Sequence, residues 1–358
     1  MKKNKQYPFF SICIPNYNYG HFIEETINSV LKQSYRSFEI IISDNKSTDN
    51  SMEIINRFKS DRISVYQNKY NVGFSKNLDC ATIKAQGEYI ILLSADDLLK
   101  GNALEYFHEI ITSHNQKDDD LVIFGSGEVI DRDGNFINYV SSKPQVLIDD
   151  LIKNENYNYI DDSKTLESYN GLRLIRILLK KNFVSAGPFL ATCYSKKLYK
   201  KVSGYSNIMS VFPDAHFSHK LCLQDPKLIY SQIKLFSYRE HDPEHKQHGD
   251  GLVNKQLIDL YHISNSFNEE ELENAGLNRL DLQKAFIEYS CLSKAKYCLF
   301  RGEINQSIKH FIFGFISYKR IMFKYLLTYL MVVFYLFIPF FAVLGTFYKK
   351  NNNIQNVE

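Results

Sequence analysis

The sequence of 358 residues contains no tryptophan, and its six cysteines are scattered without any Cys-x-x-Cys pair. No cysteine-based metal or redox motif is therefore present, and Cys13 and Cys80, which lie in apolar patterns, are predicted to be reduced core residues of a cytosolic protein. The formal net charge is only +3, which argues against the concentrated basic face that a nucleic-acid partner needs. No secretory signal is expected, because residues 1–7 are polar and the apolar run 9–14 is too short.

Two loop motifs of other nucleotide-dependent enzymes are also missing. The first predicted turn reads Pro15-Asn16-Tyr17-Asn18, without the Gly-x-Gly-x-x-Gly pattern of dinucleotide-dependent oxidoreductases. It also differs from the glycine-rich basic loop that a sugar-nucleotide pyrophosphorylase would be expected to carry. The sequence therefore favours neither class.

The chain is organised around residues 88–99. Tyr89–Leu93 is an unbroken apolar run, and two adjacent carboxylates, Asp96 and Asp97, follow it. Such a run predicts a strand buried on both faces, and charges just beyond it lie where open α/β sheets bind ligands. Paired carboxylates suit Mg²⁺ or Mn²⁺, ions that usually accompany phosphate groups. The alternative is a helix N-terminus that these acids cap.

Strand-like runs alternate with helix-like periodicity along the first third of the chain. Strands are predicted at 9–14, where Pro15 ends the strand, and at 38–43, 62–66, 89–93 and 121–124. Helices are predicted between them, one marked by Ile23, Ile27, Val30 and Leu31 and another by Phe74, Leu78 and Ile83. The alternation predicts a parallel sheet whose right-handed crossovers bring the strands' carboxyl ends, and hence Asp44 and Asp96, to one edge.

The following region is less regular. Residues 131–135 form a hairpin-type turn, so the sheet is expected to become mixed there. Residues 141–170 are polar and are interpreted as a mobile insert with the possible role of a lid. A helix at 171–181, a short basic helix ending at Gly204 and a strand-like run at 228–238 follow, and helical spacing extends from 252 to about 315.

The carboxyl end has a different character. Tyr325–Tyr348 contains no charged residue and is flanked by basic residues. An uncharged apolar run of this length can cross a hydrocarbon core of ~30 Å as a helix. The alternative is a hairpin of two short helices, broken at Pro339, that lies on the membrane surface. Both interpretations predict a membrane-associated segment at the cytoplasmic face.

Four motifs resemble those of the family 2 glycosyltransferases. They are Phe10–Asn18, Ile41–Asp49, Asn71–Gly73 and Ser94–Asp97, in this order. The resemblance is strong over about residues 8–125, weaker to 245 and absent from the tail. It implies an α/β fold with a GT-A-type, Rossmann-like mixed sheet flanked by helices, a nucleotide-sugar donor, Mn²⁺ or Mg²⁺, and inversion at the anomeric carbon.

The motifs, together with the helical spacing and the uncharged run at the carboxyl end, predict a domain plan. Residues 1–125 would form the nucleotide-sugar-binding half and residues 126–250 the acceptor-binding half, which includes the insert. Residues 251–324 would be a helical extension, and 325–348 the hydrophobic membrane segment.

Within the fourth motif, the resemblance makes Asp96 the metal-binding acid. Asp97 would hold the loop or a sugar hydroxyl, and Ala95 would line the same donor site. Ser94 stands where the family often has an acid, which weakens ribose or sugar recognition at that position but leaves the metal position intact.

The resemblance places four further residues at the nucleotide. Asp44 matches the acid that accepts the uracil N3–H, and its alternative role is that of a turn or cap residue. Pro15 and Tyr17 match the loop that passes the base, where Tyr17 offers an aromatic face. Lys76 stands where relatives commonly carry an arginine, and it supplies charge without the bidentate fork.

The remaining roles concern the base and the diphosphate. Inverting transfer needs a carboxylate that takes the acceptor hydroxyl's proton. The resemblance assigns this role to Asp214, which matches the family's acid after a glycine-containing loop, and its alternative role is that of an N-cap. Arg239 and His241 match a mobile basic segment that closes over the diphosphate, and His241 is a candidate second metal ligand.

The sequence therefore predicts an inverting, metal-assisted glycosyltransferase that uses a UDP-sugar and extends a lipid-linked or surface glycan at a membrane. The alternative is a catalytically silent relative that binds nucleotide-sugar or acts as a scaffold in a membrane glycan-assembly complex. Ser94 and Pro213, each in place of a common family acid, motivate that alternative.

Overall fold

The computed structural model describes residues 8–114, 120–144, 166–181, 183–190, 192–240 and 250–326. The chain divides into two compact units, Met1–Arg279 and Leu280–Glu358. The predicted metal ligand His241 and residues 327–348 of the predicted membrane segment lie outside the described residues.

The first unit is built on one mixed sheet, which has ten strands within the described residues. The strands are β1 Phe10–Asn16, β2 Phe38–Asp44, β3 Ile63–Gln67, β4 Tyr89–Leu92, β5 Leu98–Leu99, β6 Leu121–Ile130, β7 Phe136–Val140, β8 Leu166–Asn170, β9 Thr192–Ser195 and β10 Lys227–Arg239. Their order is β3-β2-β1-β4-β9-β6-β10-β5, with β7 beside β6 and β8 beside β10.

Helices connect these strands and continue beyond them. They are α1 Ile23–Leu31, α2 Ser51–Ile55, α3 Phe74–Thr82, α4 Ala103–His114, α5 Gly171–Lys180, α6 Lys196–Lys201, α7 Pro213–Leu223, α8 Asp250–Ser266 and α9 Glu269–Asn274. Apolar faces of α1 and α4 pack with the sheet in the main core, which confirms their predicted periodicity.

The parallel half of the sheet, β3-β2-β1-β4, confirms the predicted βαβ units. β1 continues to Asn16, two residues beyond its predicted end, and Pro15 pairs with Ser43 of β2. The pairing of β1 with β4 ends at Cys13 and Leu92, so Pro15 lies where β1 has lost one neighbour. A missing N–H is tolerated at such an edge position, which explains why the proline does not end the strand.

α3 differs from its predicted apolar stripe. Of the three residues that marked it, only Leu78 is buried, while Phe74 and Ile83 are exposed. Asn77 takes the inward position and its side chain exchanges hydrogen bonds with Ser43. The face of α3 against the sheet is therefore partly polar, which hydrophobic periodicity does not reveal.

The other half of the sheet is mixed, as predicted from the turn at 131–135. β6 and β7 form an antiparallel hairpin, and Asp131 accepts hydrogen bonds from the backbone N–H groups of Asp133 and Asn135. The predicted insert 141–170 ends in β8, which pairs antiparallel with β10. This end of the insert is therefore part of the sheet, and residues 145–165 lie outside the described residues.

The second unit is helical as far as it is described. It contains α10 Arg279–Ala285, a π-helical segment Phe286–Ser293, α11 Lys294–Phe300 and α12 Ile304–Ser317. Phe286 packs against the rings of Phe313 and Tyr318 in its interior. Within the described residues, none of the helices has the length and apolar character required to cross a membrane.

Candidate active site

The predicted ligand edge forms at the carboxyl ends of three neighbouring parallel strands. Asn16 ends β1 opposite Asp44 at the end of β2, and Leu92 ends β4 opposite Cys13. The turn that carries Asp96 and Asp97 follows β4 and leads into β5, so the alternative of a helix N-terminus is wrong. The sequence motifs thus meet at one edge, where open α/β sheets bind their ligands.

The Asp44 side chain connects the ends of neighbouring strands at this edge through hydrogen bonds. Its buried carboxylate accepts hydrogen bonds from Asn16 Nδ2 at 2.8 Å, from the Ser47 N–H at 3.1 Å and from Gln67 Nε2 at 2.9 Å, and the Ser47 hydroxyl donates a fourth. A carboxylate offers about four acceptor positions. All four are therefore engaged within the protein, and a base N–H would have to replace one of these donors.

The neighbouring Asn45 joins two of the recognised motifs. Its Oδ1 accepts hydrogen bonds from the Val72 N–H at 2.9 Å and from Asn68 Nδ2, and its Nδ2 donates to Asn71 Oδ1 at 2.8 Å. These bonds fix the turn before Gly73, whose φ of +87° suits glycine. Neither Asn45 nor Asn16 is among the site residues predicted from the sequence, although both lie inside the motifs that resemble the family.

The Asp96–Asp97 turn lies in a buried electrostatic environment. Burial and the adjacent Asp96 carboxylate raise the pKa of Asp97 well above its usual value, against hydrogen bonds from the Arg239 N–H and the Ser94 side chain. The pKa of Tyr19 is also raised, mainly by burial and to a smaller extent by the charges of Asp96 and Asp97. Two close carboxylates are costly to bury without a compensating cation.

Arg239 supplies part of the positive charge that compensates these carboxylates, but it does not lie in the predicted mobile segment. Instead of belonging to a mobile segment, it ends β10 and is only 1% exposed. Its Nε donates to the Asp96 carbonyl at 3.0 Å, Nη2 pairs with Glu25 at 2.6 Å, and the guanidinium lies over the Phe22 ring at 4.8 Å. Nη1 donates to the carbonyls of Asp131 and Arg132. The side chain therefore positions the acid turn.

The other predicted donor-site residues surround this edge. Pro15 and Ala95 are buried, and the Ala95 carbonyl accepts a hydrogen bond from the Thr26 hydroxyl at 2.9 Å. Tyr17 and Lys76 are exposed, the first directly after β1 and the second in the first turn of α3. Their side chains are accessible to a ligand at the carboxyl edge.

Asp214 lies in the first turn of α7 and lines a small cavity of about 20 Å³. The wall of this cavity includes Leu92 at the carboxyl end of β4, together with Phe189 and Tyr205. The structure thus brings Asp214 to the end of the strand that precedes the acid turn. Burial raises the pKa of Asp214 above its usual value, although the Ala215 N–H opposes this shift.

The loop before Asp214 is held by a buried carboxylate from α8. Asp259, which has no exposed surface, accepts hydrogen bonds from the N–H groups of Ser210 at 2.9 Å, Val211 at 2.6 Å and Phe212 at 2.9 Å. Three converging donors fix the backbone that leads into α7. This role of Asp259 cannot be predicted from the local sequence, because Asp259 is one acidic residue within a long predicted helix.

A divalent cation fits the donors at the acid turn. Mg²⁺ is usually held by one or two carboxylates together with substrate phosphates, rather than by a complete protein cage. Asp96 and Asp97 provide such a pair, and burial together with the Asp96 charge raises the pKa of Asp97, a cost that a bound cation would reduce. No group of three or more His, Cys, Asp or Glu side chains suited to a metal occurs in the described part of the chain.

Comparison with known proteins identifies the family of the region that carries these motifs. Residues 11–175 match the family model for glycosyl transferase family 2. This region is therefore similar to that family. GlyG, a glycosyltransferase of Streptococcus pneumoniae serotype 4, is 36% identical over 137 residues, which are 37% of this chain and 44% of GlyG.

A second relative carries a more specific name. WfgD of Escherichia coli, a UDP-Glc:alpha-D-GlcNAc-diphosphoundecaprenol beta-1,3-glucosyltransferase, is 30% identical over 144 residues, which are 40% of this chain and 55% of WfgD. The chain thus spans about half the length of these two curated relatives.

The fold is shared with a solved structure. The crystal structure of S. aureus TarS 1–349 in complex with UDP-GlcNAc superposes with a TM-score of 0.59, covering 87% of this chain and 82% of TarS 1–349 at 19% sequence identity. This similarity confirms the predicted mixed α/β sheet of GT-A type with flanking helices.

Proposed function

We propose that this protein is a family 2 glycosyltransferase that transfers a sugar from a UDP-sugar to a lipid-linked or surface-polysaccharide acceptor, with inversion. The observation that carries the proposal is the meeting of the Asp44-anchored loop and the Asp96–Asp97 turn at one sheet edge. The relatives support the substrate classes, since WfgD is named for UDP-Glc and a diphosphoundecaprenol-linked sugar, and TarS was crystallised with UDP-GlcNAc.

In this proposal the donor lies along the carboxyl edge. Tyr17 offers its ring to the base, Lys76 offers a positive charge to the diphosphate, and the Asp44 hydrogen bonds keep the surrounding loops in place. Asp96 and the predicted second ligand His241 would hold Mn²⁺ or Mg²⁺. When bound, the ion would act as a Lewis acid for the leaving diphosphate.

Asp214 is the proposed general base. Its carboxylate would accept the proton of the attacking acceptor hydroxyl on the face of the sugar opposite the leaving group. A buried carboxyl with a raised pKa holds that proton better than an exposed one, which suits this role near neutral pH. The Asp259 anchor fixes the entry into α7 and thereby the position of Asp214.

The test is to incubate the full chain with labelled UDP-sugars, a lipid-diphosphate-linked acceptor and Mn²⁺, and to follow transfer, UDP release and the anomeric configuration of the product. We expect metal-dependent transfer with inversion, abolished by EDTA and restored by Mn²⁺. Binding of UDP-sugar without transfer or hydrolysis would instead support the silent, scaffolding alternative. A product with retained configuration would contradict the role given to Asp214.

A further inference from the structure

α12 of the second unit turns polar and small residues inward and an apolar stripe outward, which is the reverse of an ordinary surface helix. Its buried residues are Ser307, His310 and Gly314, which are polar or small. Its exposed face carries an isoleucine stripe, here defined as Ile304, Ile308, Ile312 and Ile316, whose members are between 47% and 78% exposed. A surface helix normally turns its apolar stripe to the core, so an outward-facing stripe is suited to contact with an apolar partner.

The inward polar face explains why the helix is stable in this orientation. His310 Nδ1 lies 2.9 Å from the Ser290 carbonyl, so a buried polar pair tethers α12 to the π-helical segment. Gly314 allows close approach, since a Cβ there would lie 2.9 Å from the Cβ of Cys291. The two helices therefore fit together through these small and polar groups and through the ring contact of Phe286 with Phe313, and the isoleucines remain outside.

α11 likewise turns small residues inward, and its exposed apolar residues are aromatic. Its buried residues are Ala295 and Cys298, while Tyr297 and Phe300 are more than half exposed. Lys296 lies 5.9 Å from the Phe300 ring and Arg301 lies 5.6 Å from the Tyr297 ring. Exposed aromatic rings flanked by Lys and Arg are typical of the boundary between lipid headgroups and acyl chains.

The charge of this region favours one kind of partner. Between residues 294 and 326 the only acidic residue is Glu303, and the basic residues are Lys294, Lys296, Arg301, Lys309, Lys319, Arg320 and Lys324. This excess of cations complements anionic lipid headgroups. It opposes the pairing of two copies through the same face, because like charges would meet there.

We propose that the isoleucine stripe, with Tyr297 and Phe300, is a surface that inserts into the headgroup region of an anionic membrane and lies parallel to it. α12 has 14 residues and is about 21 Å long, too short to cross a core of ~30 Å, so it lies on the bilayer. The uncharged sequence Tyr325–Tyr348 begins after the short basic segment 318–324 that follows α12. The inference concerns binding and does not depend on sugar transfer.

The absence of tryptophan allows a direct test with the full chain. Phe300→Trp introduces a single indole on the proposed surface, and Ile83→Trp introduces one on the exposed end of α3 as the control. With vesicles of phosphatidylcholine and phosphatidylglycerol, we expect a blue shift and quenching by brominated lipid for the first indole only. The quenching should weaken in high salt or with phosphatidylcholine alone.

A second set of variants separates the stripe from the rest of the chain. Ile308→Gln, Ile312→Gln and Ile316→Gln, combined with Phe300→Trp, should reduce the quenching about tenfold or more, whereas Ile83→Gln should not. An indole that stays in water while the chain sediments with vesicles would overturn the proposal. So would an indole that is already shielded without lipid, since another part of the chain or a second copy would then cover the surface.

Discussion

The backbone N–H of Arg239 donates a hydrogen bond of 2.7 Å to Oδ1 of Asp97, a residue 142 positions earlier in the chain. The Arg239 side chain then holds the carbonyl of Asp96 in the same turn. One residue at the end of β10 thus fixes both acids of the proposed donor site, through its backbone and its side chain.

Replacing Arg239 should therefore loosen the acid turn. Arg239→Lys cannot reproduce the branched set of hydrogen bonds and leaves buried carbonyls without donors, so we expect a loss of about 3 kcal/mol in the free energy of unfolding in urea. The concentration of Mn²⁺ needed for half-maximal activity should also rise. Glu25→Gln is the control, because Glu25 is 61% exposed at its side chain and its ion pair should contribute less than about 1 kcal/mol. An unchanged Mn²⁺ requirement in Arg239→Lys would contradict the positioning role.

Asp44→Asn should weaken the whole nucleotide edge. An amide nitrogen replaces one oxygen that now accepts hydrogen bonds, so at least one buried donor loses its partner, at a cost of about 1–3 kcal/mol. We expect UDP binding measured by calorimetry to weaken about tenfold or more, together with a lower melting temperature. Asp61→Asn, at an exposed position, should leave both quantities unchanged. Weaker UDP binding with unchanged stability would favour direct contact with the base over loop anchoring.

Asp214→Asn should lower the transfer rate by about 10²–10⁴ while UDP-sugar binding persists. In the unmodified chain the rate should fall with decreasing pH, because protonation of Asp214 removes the base. This fall should occur at a higher pH than for an ordinary carboxyl, because burial raises the pKa of Asp214. Asp133→Asn, an exposed acid in the β6–β7 turn, serves as the control and should keep the same profile. Substantial turnover by Asp214→Asn would assign the base to another residue.

Acid should destabilise the first unit through two buried histidines of α7. Burial lowers the pKa of His216 to about 3 and that of His219 to about 4, so both remain neutral in the folded chain. Unfolded histidine binds a proton below about pH 6.5, so stability is present above that pH and is lost as the pH falls towards 4. We expect about 2 kcal/mol per histidine to be lost between pH 7 and pH 5, measured by urea unfolding. His219→Gln should flatten this dependence, whereas replacing the exposed His21 should not.

The parallel half of the fold was predictable because its signals are local. The apolar run Tyr89–Leu93, the acids after it and the helices between strands define positions along the sheet edge without knowledge of distant contacts. β8 was missed because Leu166–Asn170 has no apolar alternation and becomes a strand only by pairing with β10.

The site was predictable to the same extent. The approach of Asp44 to the acid turn follows from topology, whereas the place of Arg239 depends on partners 107 to 214 positions away in the sequence. The polar inner face of α3 was likewise hidden, because Asn77 is buried through hydrogen bonds rather than through apolar character.

The Asp259 anchor has a practical consequence for shortening this protein. A fragment that stopped near residue 250, before α8, would keep every described strand, because β10 ends at Arg239, and every proposed donor-site residue. It would nevertheless lose the carboxylate that gathers the three N–H groups ahead of α7. We therefore expect such a fragment to retain UDP affinity but to transfer sugar poorly, and a soluble catalytic fragment should extend through Arg279.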